Sequence, residues 1–384
     1  MHIRPPSSST AGARQPDRER SPDDAAEPPA TRRRMNPPEA ALTGLSTSRP
    51  PPPTAAQPGT SAPPRAAKPV FDSDLAWSLY PELTKYLQKR EVALESDTVA
   101  QPWDIKDIRH LPTLIEGLNL ADDGLKLDHY HLWNGGVTGS AIYTEALAER
   151  LQAELGTGGA WRAVIDYDEH RTAMSVQCSA TSNDVSIVLV DSSTESSANM
   201  AHVRQRWADV LNEVTSSTQK RLGPDAPPVR LHMTLLASRV HKGLEGCTIF
   251  ALSAAKKMAS EGAIRELHTS MLDDVAQGRV QPGVEWQDAR QHLPPAFYKH
   301  ATSRRVLEDY IDVLGQRDPA VAEAAVNKRG KTLLERYDDN FVEREDPSDN
   351  ETIRYSMSYE EKRVEMIKTA LAYLTANRSD AGLP

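Results

Sequence analysis

Two cysteines, Cys178 and Cys247, are the only thiols in this 384-residue chain, and their sequence settings differ. Cys247 follows Gly246 and opens the segment CTIFALSAAKKMAS, whose apolar spacing predicts a helix. A thiol in the first turn of a helix faces unpaired backbone N–H groups and the positive end of the helix dipole, which favour the thiolate. The thiolate is the attacking species in cysteine-centred hydrolysis and acyl transfer. Taken alone, Cys247 reads more readily as a buried structural thiol. Cys178 lies in a strand pattern and reads as packing. Two cysteines cannot make a disulfide framework, and no metal-ligand spacing surrounds either, which fits a reducing compartment.

A second group of residues offers charge. Lys256, Lys257, Lys299, His300, Arg304, Arg305, Lys328, Arg329, Lys331 and Arg336 punctuate three segments of a chain whose formal net charge is −9. Each alone is a solvated helix face. Together they could converge on a polyphosphate, because Arg and Lys supply charge-assisted hydrogen bonds to phosphate oxygens. The acidic balance argues against a general nucleic-acid binder.

The elements that must position these residues begin late. Of 28 prolines, 16 precede residue 71, and no aromatic residue precedes Phe71. Such a segment cannot bury enough apolar surface to offset its conformational entropy, so residues 1–70 are expected to be disordered. The expectation includes no Sec-type signal, no N-myristoylation (His2 follows Met1) and no transmembrane segment, since no run of 18 apolar residues occurs. Asp72 or Ser73 can cap a helix carrying Leu75, Leu79, Leu83, Tyr86 and Leu87, with Pro81 doubtful inside it. An apolar stretch spans 108–118, and a helix over 141–155 ends at Gly156. Strands are predicted at 161–167 and 172–178, flanking the polar stretch 168–171, and at 185–190, where VSIVLV reads as a strand buried on both faces. A helix over 203–214, a strand over 229–236 and the Cys247 helix follow. Helices at 304–314 and from Ser358, where Glu361 completes a capping box, make the last third mostly helical.

Three blocks carry a resemblance. The run Glu245-Gly246-Cys247-Thr248-Ile249-Phe250-Ala251-Leu252, continuing to Lys256-Lys257, resembles the nucleophile helix of the YopJ family. Leu293-Pro294-Pro295-Ala296-Phe297-Tyr298-Lys299-His300 is similar to its "LP-x-x-FYKH" element. Val326-Asn327-Lys328-Arg329, Thr332 and Arg336-Tyr337-Asp338 resemble its "VNK…T…RF/YD" element. The resemblance implies an α/β (α+β) fold with a core related to ubiquitin-like-protein cysteine proteases and a central mixed sheet. It implies a domain over 71–384, with a catalytic core at about 100–290 and a helical regulatory part at about 291–376, behind a secretion leader. It also implies a type III effector that moves acetyl from acetyl-CoA through a cysteine to Ser, Thr or Lys of host signalling or immunity proteins. Inositol hexakisphosphate would be its activator, and the host cytoplasm or nucleus its destination.

Carried over by residue, the resemblance makes Cys247 the nucleophile. Two alignments compete for the base. Matching Val164-Ile165-Asp166-Tyr167 to a family string puts Trp161 at that position, and indole has no basic nitrogen, so the product would be a binding-only pseudoenzyme. Starting at His170 instead gives strand, turn, strand and then Asp191, a separation of 191 − 170 = 21, close to the family's. This alignment is preferred, with Asp191 orienting the imidazole. His241 stands where the family commonly has an oxyanion-assisting glutamine, and its N–H could donate there. Lys242, Gly243, Tyr337, Asp338, Asp339 and Asn340 fall near the family's coenzyme A contacts. Lys257, Lys299, His300, Arg305, Lys328, Arg329, Lys331 and Arg336 are the candidates for inositol hexakisphosphate, and Lys299 resembles the self-acetylated lysine. His129, His131, His202 and His232 receive no role. A protease of ubiquitin-like tags is the third reading, which the FYKH and VNK blocks disfavour.

Overall fold

The computed structural model describes residues 79–95, 104–132, 140–167, 170–192, 197–241, 246–345 and 352–380. The chain divides into a unit Met1–Pro63 and a unit Pro64–Pro384, and every described residue belongs to the second. The expectation for residues 1–70, and the cap and Leu75 of the first predicted helix, lie outside the described residues.

Helices α1 (Tyr80–Glu95) and α2 (Asp104–Ala121) precede strand β1 (Leu127–His131) and helix α3 (Ser140–Glu154). Strands β2 (Ala160–Tyr167), β3 (His170–Cys178) and β4 (Asp184–Asp191) follow. Helix α4 (Ser197–Leu222) leads to β5 (Arg230–Ala237), and α5 (Cys247–Ser260) with α6 (Gly262–Ala276) leads to β6 (Gly283–Gln287). The remainder holds α7 (Ala289–His292), a 3-10 turn at Pro295–Tyr298, α8 (Arg304–Arg317), α9 (Pro319–Ala322) and α10 (Leu333–Asp339). An antiparallel pair, β7 (Phe341–Glu345) and β8 (Thr352–Ser356), precedes the last helix, α11 (Ser358–Asp380).

Strands β1 to β6 lie in chain order in one mixed sheet. The pairs β2/β3 and β3/β4 are antiparallel, whereas β1/β2, β4/β5 and β5/β6 are parallel. Each parallel step requires a crossover, supplied here by α3, by α4 and by α5 with α6. Alternation along the strands then splits their side chains between two cores. Val164, Ala173, Val188, Val190 and Leu236 pack with Leu83, Leu114, Phe250, Tyr310 and Ile367 from α1, α2, α5, α8 and α11. Ala163, Ile165, Met174, Val176, Ile187 and Leu189 pack on the other side with Leu147 and Leu151 of α3 and Trp207 and Leu211 of α4.

The final helix therefore closes the core that the first helices open. Gly117 permits this, because a Cβ there would meet the Ala370 Cα at 2.6 Å. Pro81 sits in the first turn of α1, where its missing N–H has no intrahelical partner to lose. Strand β3 begins at His170, two residues earlier than expected, so His170 and Arg171 are strand residues and not part of a turn. Strands β1 (LDHYH) and β6 (GVEWQ), at five residues each, are too short and polar to stand out by pattern. Among the described residues no helix is long and apolar enough to cross a membrane.

Candidate active site

The geometry of the site starts from strand register. Ala173 pairs with Val190 in the antiparallel β3/β4 ladder. One further step puts Thr172 opposite Asp191, so His170 is the diagonal neighbour of Asp191 on the same face. His170 Nε2 lies 2.8 Å from Asp191 Oδ1, with the histidine side chain 33% exposed and the aspartate 10%.

The nucleophile candidate arrives along β5. Asp191 pairs with Ala237 in the parallel β4/β5 ladder, and the two chains stay together past their strand ends. Ser238 N donates to Asp191 O at 2.8 Å, and His241 N donates to Ser192 O at 3.0 Å. Gly246, at φ 111°, caps α5, and Cys247 is its first residue, 4% exposed. The backbone angle favours glycine at Gly246, and a Cβ there would stand 3.3 Å from His241 Nε2, a tight contact. His241 is buried and packs on Phe250 with ring centroids 4.9 Å apart, which places its imidazole over the residue preceding the thiol.

Electrostatics tie the three groups together. Burial alone would depress the His170 pKa, but hydrogen bonds and negative charge from Asp191 and Cys247 outweigh it and raise the value to about 10. The imidazole is thus the proton holder. Burial, with Glu154 nearby, pushes the Cys178 thiol the other way, up to about 12, as expected of a packing cysteine. Trp161 is fully buried in the α3/α4 core beside Arg150 and pairs with Val176. Six residues along β3 separate that pair from His170, about 20 Å at strand rise.

Sequence reasoning missed Arg171. Its Nη1 lies 3.8 Å from Cys247 Sγ, and its Nε lies 3.2 Å from Asp166 Oδ1. Asp166 Oδ2 in turn engages His131 Nδ1 at 2.9 Å, so His131, given no role from sequence, belongs to this network. The available signal was strand parity: Arg171 shares its face with Ala173, which packs under α5.

The predicted basic residues separate into groups. Lys257, Lys299, His300 and Arg336 converge, joined by Lys362 of α11, which the sequence reading did not include. Burial, then Lys362, Lys299 and Arg336, lower the Lys257 pKa to about 7. Burial and the same cations hold His300 well below the usual imidazole range. Ser358 Oγ braces the cluster, 2.7 Å from His300 Nδ1 and accepting from Arg336 Nη2 at 2.9 Å. Lys331 pairs with Asp339, and Arg304 with Asp338. Arg305 and Lys328 are exposed, and Arg329 lies near enough to lower the Arg336 pKa behind the larger effect of burial. A small pocket is lined by Ser192 and Ser238 together with Lys257, His300 and Lys362. Of the residues expected near coenzyme A, Tyr337 is buried against Phe341 and Asn340 Nδ2 donates to Arg336 O at 2.8 Å. Lys242 and Gly243 lie outside the described residues.

A mixed sheet flanked by helices, with a thiol at a helix start facing a histidine and an acid from one strand pair, defines a cysteine-protease-like α/β protein. More narrowly, the chain belongs to the YopJ family: the family model described as YopJ Serine/Threonine acetyltransferase matches residues 83–369. It is 25% identical over 141 residues to the serine/threonine-protein acetyltransferase YopJ of Yersinia pestis, and 24% to that of Yersinia pseudotuberculosis. Those alignments span 36% of this chain and 45% of each relative, less than half their length. A solved structure of AvrA delL154 with IP6 and CoA superposes with TM-score 0.55 at 20% identity, covering 76% of this chain and 98% of that one. HopZ1a in complex with IP6 and CoA gives 0.54 at 18%, covering 78% and 98%.

Proposed function

We propose that the protein is a type III effector that takes acetyl from acetyl-CoA onto Cys247 and passes it to Ser, Thr or Lys of host proteins. The observation that carries this reading is His170, bound to Asp191 at 2.8 Å and hydrogen-bonded to Cys247. In the first half, the thiol proton passes to His170 and the Cys247 sulfur attacks the acetyl carbonyl. His170 returns that proton to the departing coenzyme A sulfur as the old thioester bond breaks. In the second half, His170 takes the proton of the acceptor hydroxyl or amine, whose oxygen or nitrogen attacks the Cys247 thioester, and Cys247 leaves as the thiolate. Asp191 holds the ring and stabilises its charged form. The His241 N–H and the backbone N–H groups opening α5 are the candidate oxyanion donors.

Lys257, Lys299, His300, Arg336 and Lys362 are the group we assign to inositol hexakisphosphate, with Arg305, Lys328, Arg329 and Lys331 as peripheral candidates. Cations that depress one another's pKa are short of negative charge, which a polyphosphate supplies. The AvrA and HopZ1a structures contain IP6 and CoA, which supports these two ligands for the fold. Lys299 is the candidate self-acetylated lysine, and the α10 end at Tyr337–Asn340, with Lys242 and Gly243, is the candidate coenzyme A contact. The destination proposed is the host cytoplasm or nucleus. The leader at 1–70, the catalytic core at about 100–290 and the regulatory part at about 291–376 remain the proposed division of labour.

The test is mass spectrometry after incubating the purified protein with labelled acetyl-CoA and inositol hexakisphosphate. Label on Cys247 or Lys299, absent in Cys247→Ala, is expected. Polyphosphate binding without any label would replace this reading with a binding-only effector.

A further inference from the structure

Arg171 follows the base in sequence, but alternation turns it to the other face of β3. There it completes a row of three side chains across three strands. His131 of β1 is in register with Asp166 of β2, and Asp166 with Arg171 of β3. The contacts follow the register: His131 Nδ1 to Asp166 Oδ2 at 2.9 Å, Asp166 Oδ1 to Arg171 Nε at 3.2 Å, and Arg171 Nη1 to Cys247 Sγ at 3.8 Å. Asp166 and Arg171 are 4% and 8% exposed. A buried guanidinium is expensive to desolvate, keeps its charge at every physiological pH, and here spends one edge on a carboxylate and the other on sulfur.

We propose that Arg171 is a catalytic residue that holds the Cys247 sulfur as its thiolate, with Asp166 as the residue that positions it. The inference rests on the reading of Cys247 as nucleophile. Its chemical content is that the sulfur has two cationic neighbours. When Cys247 leaves as the thiolate in the second half, Arg171 faces the sulfur at 3.8 Å, so the ionised form does not depend on the imidazole alone. An opposite charge at this range lowers a thiol pKa by about 1–3 units.

The experiment is iodoacetamide alkylation of the full chain across pH, read separately at Cys247 and Cys178 by peptide mass spectrometry. In the wild type, Cys247 should be alkylated while the buried Cys178 stays silent. Arg171→Gln should move the Cys247 profile upward by about 1–3 pH units. Arg171→Lys should recover part of that shift, because it keeps charge without the fork. Should Arg171→Gln fail to fold because Asp166 loses its guanidinium partner, the double variant D166N/R171Q, a neutral amide pair, carries the same expectation. Melting curves establish which variants are folded. A folded variant lacking Arg171 with the wild-type profile overturns the proposal. Failure of the acyl-transfer reading looks different: the alkylation shift would be present with no acetyl label ever found on Cys247.

Discussion

Arg363 Nε lies 2.9 Å from Asp107 Oδ2, a buried ion pair joining residues 256 apart in the chain. Tyr86 donates to the other carboxylate oxygen at 2.6 Å, and Glu360 pairs with both Arg363 and Arg90. Helices α1, α2 and α11 are thus locked by a charge network that includes Glu360, two residues along α11 from Ser358. Removing one member leaves the others desolvated. Asp107→Ala should cost about 3–5 kcal/mol, measured by urea unfolding. A loss under about 1 kcal/mol would mean that water reaches the network and screens it.

His170→Ala should lower acetyl transfer by about 10²–10⁴-fold while leaving polyphosphate binding intact. Asp191→Asn should fall in the same direction, because the ring loses its charged partner. Full transfer by His170→Ala, measured with labelled acetyl-CoA, would place the general base elsewhere.

The raised His170 pKa makes a signed prediction for stability. The folded value, about 10, exceeds the 6.5 of an unperturbed imidazole. The contribution is therefore complete below pH about 6.5, declines above it and is gone above about 10. The stability difference between wild type and His170→Gln should shrink across that window. A constant difference in urea midpoints from pH 6 to pH 10 would contradict the assigned proton holder.

Lys257 has the opposite sign. Its folded pKa of about 7 lies below the ordinary 10.5, so a penalty is complete below pH 7 and is relieved as pH rises toward 10.5. Polyphosphate binding at pH 8 should therefore be accompanied by proton uptake, detectable by calorimetry in two buffers of different ionisation enthalpy. At a free ligand concentration one hundred times Kd, stability should rise by about 2.7 kcal/mol. Lys257→Met should abolish the proton uptake and leave the unliganded protein more stable.

Gly246→Ala should be damaging out of proportion to its size. The left-handed backbone there costs an alanine about 1–2 kcal/mol, and its Cβ would press on His241 Nε2 at 3.3 Å. Transfer should fall more than thermal stability does, because the displaced groups flank the thiol. Equal, small losses in both would show that the turn relaxes without disturbing Cys247.

The sheet was largely legible because β2 to β5 are apolar runs and their order follows the chain. His170 and Asp191 were legible only through the resemblance, whose His–strand–turn–strand–acid order and spacing select them over Trp161; the β3/β4 pairing brings the two within 2.8 Å. Arg171 escaped because a charged residue beside Asp168 and Glu169 reads as solvated turn, and its burial depends on Asp166 from the neighbouring strand. Lys362 escaped for a related reason: nothing local distinguishes it from the other charges of α11. Convergence on Lys257 requires the final helix to fold back over α5, which no periodicity announces.

His170 and Asp191 come from one hairpin with a five-residue connection at 179–183, so base and acid can meet by closing a short loop. Cys247 joins them only after β5 has paired and α5 has docked. On the proposed reading, then, the sulfur gains its partners only in the folded arrangement, so its activation is tied to the whole sheet and not to the local sequence around it.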